Sequence, residues 1–309
     1  MQPPARLISV LLLTDRQDFQ RAQEQSARDA GGREGLNIEV AFADNSPFVQ
    51  IQQVLGYVSR PAEVRPTAIA IESAGSPAAF ARVARKALSA GVGWVELSAG
   101  PSMVESLCDE FPGSLVGSVT VDEDAIGHLQ ASQCRALLPE GGALLYVEGP
   151  GVNAIVTARR RALEEGLEGT SITIAKTLAA DWTEEGARVA TSSWLRKPSA
   201  RRCNPALVCS QNDAMAIGVR KSATDQLAPW ALVPSLGCDG LPEAGQRYLK
   251  EGVLAATILK PTTAGPGVEW LARAMRGEAP PHHLVLHPSP LPPLEQLDRL
   301  AQPKSRKPS

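Results

Sequence analysis

The chain has 309 residues, is 43% hydrophobic and 21% charged, and carries a formal net charge of −2, which suits one large or two medium globular domains. So small a charge provides no field to hold nucleic acid or an anionic membrane, and no apolar run approaches the ~20 residues that span a bilayer. Five cysteines without CxxC or Cys/His spacing point to buried thiols, not to a disulfide framework or a zinc site.

Leu7 to Leu13 is a continuous apolar run, the pattern of a strand buried on both faces of a parallel sheet. It stops in the polar turn Thr14-Asp15-Arg16-Gln17-Asp18-Phe19, and a helix follows to about Arg33. The run is too short for an export signal, so it reads as the first strand of the fold. Further strands are predicted at Ile38–Phe42, Ala68–Ile71 and Val92–Leu97, with helices opened by Pro47 and Pro77 between them. After an amphipathic segment (Ser102–Phe111) the alternation restarts with strands at Leu115–Val121, Ala143–Val147 and Ser171–Ala175. Helices are predicted from Asp122-Glu123-Asp124 to Leu138 and from Asn153 to Gly166. The three acids read as solvated residues favoured at a helix start. Asp181-Trp182-Thr183-Glu184 has the spacing of a capping box ahead of a helix to Leu195.

The stretch LVCSQNDAMAIG (Leu207–Gly218) is a short buried strand, a polar turn and a helix in succession. Asn212 or Asp213 is placed to cap that helix. A strand through Leu236, a helix from Pro242 to Lys250, a strand from Val253 to Leu259, a helix from Pro261 to Met275 and a strand at Leu284–His287 complete the pattern. From Pro288 to Ser309 the chain is Pro-rich and ends in Lys304, Arg306 and Lys307, which predicts a mostly unstructured tail. Strands alternating with helices specify doubly wound α/β sheets. Two such arrays with no Gly/Ser linker predict two lobes joined by crossing strands.

Gly149-Pro150-Gly151-Val152-Asn153-Ala154 fits G-x-G-x-x-A after a strand. Against a nicotinamide enzyme, the next strand ends at Lys176-Thr177, where a dinucleotide fold places an acid. There is no Walker A loop, G-x-S-x-G elbow or H-E-x-x-H, and no nucleophile with a base near it in sequence. The His282-His283 pair reads as a strand edge. The sequence therefore predicts no catalytic residue, no cofactor and no metal. What remains is a set of polar strand ends, where open α/β sheets bind ligands: Asp15 and Arg16, Ser98, Arg159, Trp182, Asn212, Asp239 and Lys260. Singly, each has a structural explanation: Arg159 lies in a run of three arginines, and Asn212 and Asp239 can cap helices. Together they offer the amides, charges and ring face that hydroxyl-rich ligands require.

In order and spacing the chain resembles the type I periplasmic-binding-protein superfamily, in its ribose/galactose-binding branch, to which lac-repressor-type effector domains are related. QNDAMAIG (211–218), LGCDG (236–240) and EGVLAATILKP (251–261) carry the resemblance, supported by ARRRALEEGL (158–167) and ADWTEE (180–185). It implies two Rossmann-like lobes with parallel sheets and a three-strand hinge. Lobe 1 would be residues 1–121 plus 261–287, lobe 2 residues 122–260, and 288–309 the tail. It also implies that Phe19 stacks on the ligand, that Arg159, Asn212 and Asp239 bond its hydroxyls, and that Trp182 lines the cleft. Three departures stand out. Ser98-Ala99 replaces the usual Asp-Arg, Lys260 replaces the usual Gln, and Arg16-Gln17-Asp18-Phe19 replaces the usual first turn. Lys260 either balances a neighbouring acid, Asp239 being the candidate, or joins Arg159 in facing an anionic group on the ligand. The implied function is non-catalytic: two lobes closing on a monosaccharide or a derivative, neutral or anionic, for delivery to an ABC permease. The alternative is a cytosolic ligand sensor without a DNA-binding headpiece. The resemblance places the protein in the periplasm or cell envelope, whereas the N-terminus as written, with no signal peptide, would leave it in the cytoplasm.

Overall fold

The computed structural model describes residues 6–98, 100–151 and 153–301. Ala99, Val152 and the basic residues Lys304, Arg306 and Lys307, each part of a sequence expectation, lie outside them. The chain divides into two compact units, Met1–Val121 with Pro261–Leu286, and Asp122–Lys260 with His287–Ser309. It crosses from one to the other three times.

The first unit is built on strands β1 (Leu7–Leu12), β2 (Asn37–Phe42), β3 (Ala68–Ile71), β4 (Gly93–Glu96), β5 (Val116–Val121) and β11 (His283–Leu286). They form one parallel sheet in the order β11-β5-β4-β3-β1-β2. Successive side chains of a strand point to opposite faces, and both faces here are covered. Ile8, Val10 and Leu12 pack with Val268 and Leu271 of helix α10 (Ala264–Met275) and Ala27 of α1 (Asp18–Glu34). Leu11, Ile69 and Ile71 pack with Val54 of α2 (Pro47–Val58), Phe80 of α3 (Pro77–Ser89) and Leu107 of α4 (Pro101–Glu110). Continuous apolar runs in β1 and β3 follow directly from this double burial. Helices α2 and α3 start where the sequence places them, with Pro at their first position and Ser46 and Ser76 as side-chain caps. The His282-His283 pair borders β11: His283 Nδ1 lies 2.6 Å from Ser118 Oγ, and His282 Nδ1 lies 3.0 Å from the Val116 carbonyl.

The second unit has strands β6 (Gly142–Glu148), β7 (Ile172–Ala179), β8 (Leu207–Ser210) and β9 (Ser235–Leu236) in the parallel order β7-β6-β8-β9. Strand β10 (Thr257–Leu259) extends this edge through parallel bridges Leu236–Ala256 and Asp239–Leu259. Helices α5 (Glu123–Leu137) and α6 (Ala154–Leu167) cover one face, α7 (Glu184–Leu195) and α8 (Asp213–Asp225) the other. All five cysteines are free thiols, three of them buried.

Four sequence expectations need correction. Residues 288–301 are not a loose tail: β12 (Ser289–Leu291) pairs antiparallel with β10, and α11 (Leu294–Ala301) puts Leu297 into the second unit's core at 0% exposure. Composition misleads there because Pro290 and Pro292 sit in and beside an edge strand, where a missing N–H is tolerated. Thr183, not Asp181, caps α7, by accepting from the Gly186 amide at 2.9 Å. Asp181 instead braces Thr183, accepting from its amide at 3.1 Å and its hydroxyl at 2.6 Å. The predicted helix at Pro242–Lys250 is a π turn, Pro242–Gln246, followed by one α turn, α9 (Arg247–Lys250). Strand β7 runs on to Ala179, beyond the end predicted at Ala175.

Candidate functional site

Each unit gathers polar residues at the carboxyl ends of its parallel strands, at the point where strand order reverses. In the first unit that point lies between β1 and β3. Gln20, on the first turns of α1, bridges it: its side-chain oxygen accepts from the Leu13 amide (3.1 Å) and its Nε2 donates to Glu72 Oε2 (2.9 Å). Gln50 of α2 donates to the Glu72 carbonyl (2.8 Å) and accepts from the Ala74 amide (2.8 Å). One strand over, Glu96 closes β4 with no exposed surface. Its carboxylate accepts from the Ser73 amide (3.2 Å), the Ser73 hydroxyl (2.9 Å) and the Ser98 hydroxyl (3.4 Å). Burial pushes the Glu96 pKa up to about 7, against the pull of these donors.

The sequence-selected residues of this rim are more peripheral. Asp15 and Arg16 are exposed; Arg16 lies 3.7 Å from Asp44, past the end of β2, and the Asp15 carbonyl accepts from Arg21 at 2.6 Å. Phe19 is half-buried in the first turn of α1. Ser98 is partly buried and held by Glu96. Glu72 and Glu96 were missed, although a signal exists: in AIAI-Glu72 and GWV-Glu96 an acid closes a fully buried run, where an uncompensated charge would be costly.

In the second unit the reversal lies between β6 and β8. Gln211 stitches it together. Its Oε1 accepts from the Gly149 amide (3.0 Å), and its Nε2 donates to the Tyr146 hydroxyl (2.7 Å) and the Val156 carbonyl (3.0 Å). The Gly149-Pro150-Gly151 turn that resembles a nucleotide motif has a packing explanation: a Cβ on Gly149 would collide with the indole of Trp182. Trp182 itself is held at φ 71, and its carbonyl accepts from Asn212 Nδ2 at 2.8 Å. The other end of Asn212 caps α8, accepting from the Met215 amide at 2.9 Å. Asp213 is buried beside it, and its carboxylate accepts from Thr257 Oγ1 (2.6 Å) and the Gly240 amide (2.8 Å). That second bond fixes the turn carrying Asp239, whose own φ is 106. Asp239 does not cap the turn that follows, which has no side-chain cap.

Arg159 separates from its two neighbours. Arg160 and Arg161 reach solvent and pair with acids of the helix surface, Arg160 also with Glu148 at the end of β6, whereas Arg159 is 1% exposed. Its Nε donates to Glu123 Oε2 (2.6 Å) and one terminal nitrogen to the Gln211 carbonyl (2.6 Å), with the guanidinium carbon 5.9 Å from the Trp182 ring centre. Glu123 also lies 3.5 Å from the Lys260 ammonium. The expectation that Asp122, Glu123 and Asp124 are all solvated is therefore wrong for Glu123, whose side chain is 16% exposed and clamped between two cations. Burial alone would raise its pKa, but Arg159 and Lys260 hold it below the usual carboxylate value. The same burial opposes the Arg159 charge, and Glu123 with the other nearby anions more than offsets it. Lys260 also meets Asp239 through the backbone, its amide donating to the Asp239 carbonyl at 3.2 Å.

The second unit thus brings Arg159, Trp182, Asn212, Asp239 and Lys260 onto one rim and adds Glu123, Gln211 and Asp213. Among the described residues no cluster of His, Cys, Asp and Glu is suited to hold a metal, and no helix is long and apolar enough to cross a membrane.

A family model for the periplasmic binding protein domain matches residues 8–279. The chain belongs to this family. Solved structures with the same fold include three bacterial binding proteins. A Caulobacter myo-inositol binding protein, bound to myo-inositol, is 19% identical with TM-score 0.78, over 97% of this chain and 96% of its own. An Actinobacillus succinogenes ABC transporter periplasmic solute-binding protein with bound D-allose is 22% identical with TM-score 0.78, over 95% and 99%. A Bacillus halodurans ABC transporter solute-binding protein with bound myo-inositol is 16% identical with TM-score 0.78, over 97% and 99%. No curated protein sequence matches the chain. As a periplasmic-binding-domain protein it is a binder of solutes, and the strand-end rims are where such a fold presents its ligand-binding groups.

Proposed function

We propose that the protein binds one small polyhydroxylated solute, of monosaccharide or cyclic-polyol size, and hands it to an ABC permease at the cell envelope. The observation that carries the reading is the rim of the second unit. A guanidinium, a carboxylate and an amide stand there beside an indole, all fixed by buried partners. Fixed donors and acceptors match vicinal hydroxyls, and the ring face matches a sugar's C–H surface. Structural neighbours that hold myo-inositol or D-allose support the same class. Asp239, Arg159, Asn212, Trp182 and Lys260 would serve from one lobe, and Asp15, Arg16, Phe19 and Ser98 from the other. A ligand touching both lobes binds a closed arrangement better than an open one and shifts the population toward it.

A thermal-shift screen of pentoses, hexoses, inositols and linear polyols tests the reading. A true ligand at a hundred times its Kd adds ~2.7 kcal/mol to the folded state, enough for a clear rise in melting temperature. An unchanged melting temperature across the whole panel would overturn it.

A further inference from the structure

Lys260 puts a second cation on the carboxylate that holds Arg159, and the structure supplies the counter-charge. Glu123 opens α5 and Lys260 follows β10, far apart in sequence, yet they meet at 3.5 Å while the same carboxylate holds Arg159 at 2.6 Å. Two cations are thus shared by one carboxylate, and Asp239, whose charge also acts on Arg159, supplies the second. Asp213 stands outside this count on geometry: its oxygens are engaged by Thr257 and Gly240, not by either cation, and burial, then Asp239, raises its pKa. Arg159 and Lys260 against Glu123 and Asp239 make the cluster electroneutral.

We propose that Glu123 sets the charge selectivity of this rim, cancelling the extra cation at Lys260 so that the site takes an uncharged polyol and rejects sugar acids and sugar phosphates. The proposal rests on the reading of the rim as ligand-binding. Electroneutrality decides the class because a charged ligand group entering a partly buried site must find an unspent counter-charge or remain hydrated. Here Glu123 and Asp239 together spend the charge of Arg159 and Lys260. Glu123 acts through those two residues and is a positioning residue for the site.

Inorganic phosphate is a probe that needs no knowledge of the sugar. Melting temperature is followed as phosphate replaces chloride at constant ionic strength. The wild-type protein should show no phosphate-specific stabilisation. Glu123→Gln gives the cluster one net positive charge and should bind phosphate at least tenfold more tightly than wild type. Adding Lys260→Gln to that variant restores neutrality and should abolish the gain, and Glu123→Asp should behave as wild type. Removing the partner of a buried arginine can prevent folding, so Asp239→Asn supplies the same charge change without touching the Glu123–Arg159 pair. It should show the same phosphate gain, again cancelled by Lys260→Gln. A merely structural ion pair would move melting temperature without this charge-tracking anion response. The proposal is overturned if folded Glu123→Gln or Asp239→Asn responds to phosphate no more than wild type, or if Lys260→Gln leaves a gain intact. These arms use no sugar, so their failure is distinct from failure of the polyol screen.

Discussion

Asn212 and Asp239 follow neighbouring strands of the second lobe, but their side chains are committed differently. Both ends of the Asn212 amide are in structural use, one on the Met215 amide and one on the Trp182 carbonyl. Asn212→Ala should therefore cost about 1 kcal/mol of stability for the cap, with a further loss from the freed Trp182 carbonyl. Asp239 caps nothing downstream. Because Asn tolerates a positive φ, Asp239→Asn should keep the turn intact while weakening polyol binding about tenfold, the difference between a charged and a neutral hydrogen bond, a loss of affinity that the Asn212 cap variant does not require. Melting and affinity measured on the same two variants separate these outcomes. Glu96 is the residue whose protonation matters near neutrality. Its folded pKa of about 7 lies above the ordinary 4.5, so the folded state holds a proton that the unfolded state has released. Stability from this group is greatest below pH 4.5, falls as pH rises toward 7 and is level above that, a span of ~3 kcal/mol from the size of the shift. Glu96→Gln should flatten that slope in urea unfolding between pH 5 and 8; an unchanged slope would show that Glu96 is not its source. Arg159, Asn212 and Asp239 could be singled out as candidates because each stands in a recognisable run. Glu123 was not, since its partners Arg159 and Lys260 reach it only through the fold.

The elements were legible wherever burial is two-sided. Leu7–Leu12 and Ala68–Ile71 are apolar throughout because helices cover both faces of the sheet, so pattern and structure coincide. The pattern is weakest where an element is buried on one side or at an edge. Strand β7 alternates buried and exposed residues and runs past its apolar start, so its end was misplaced. The C-terminal segment was misread for a related reason: its strand is an edge containing a proline, and among the described side chains of its helix Leu297 is the one that is fully buried. That segment is structural. Leu297→Ala should cost about 3 kcal/mol, as for other fully buried leucines, read as a lower urea midpoint. A change within ~0.5 kcal/mol, normal for a surface site, would return the segment to the status of a tail. The Gly149 turn belongs at this scale too. Its glycine makes room for Trp182, which explains a nucleotide-like spacing without a nucleotide.

At the scale of the whole molecule, two doubly wound units each carry a polar rim at their strand reversal, and three chain crossings join them. The chain belongs to the periplasmic-binding-protein family, and the proposed function requires the crossings after Val121, Lys260 and Leu286 to act as a hinge. Each rim is internally braced before any ligand is present, by Gln20 and Gln50 in one unit and by Gln211 and Asp213 in the other. Under the proposed function, binding at these rims would cost little local ordering, leaving its free energy to favour a closed arrangement. Small-angle scattering at saturating concentration of the polyol that gives the largest thermal shift tests this most directly. The account predicts a smaller radius of gyration with the polyol than without it, with the polyol concentration that half-produces the change about tenfold higher in Asp239→Asn. A radius that stays constant through saturation would contradict it.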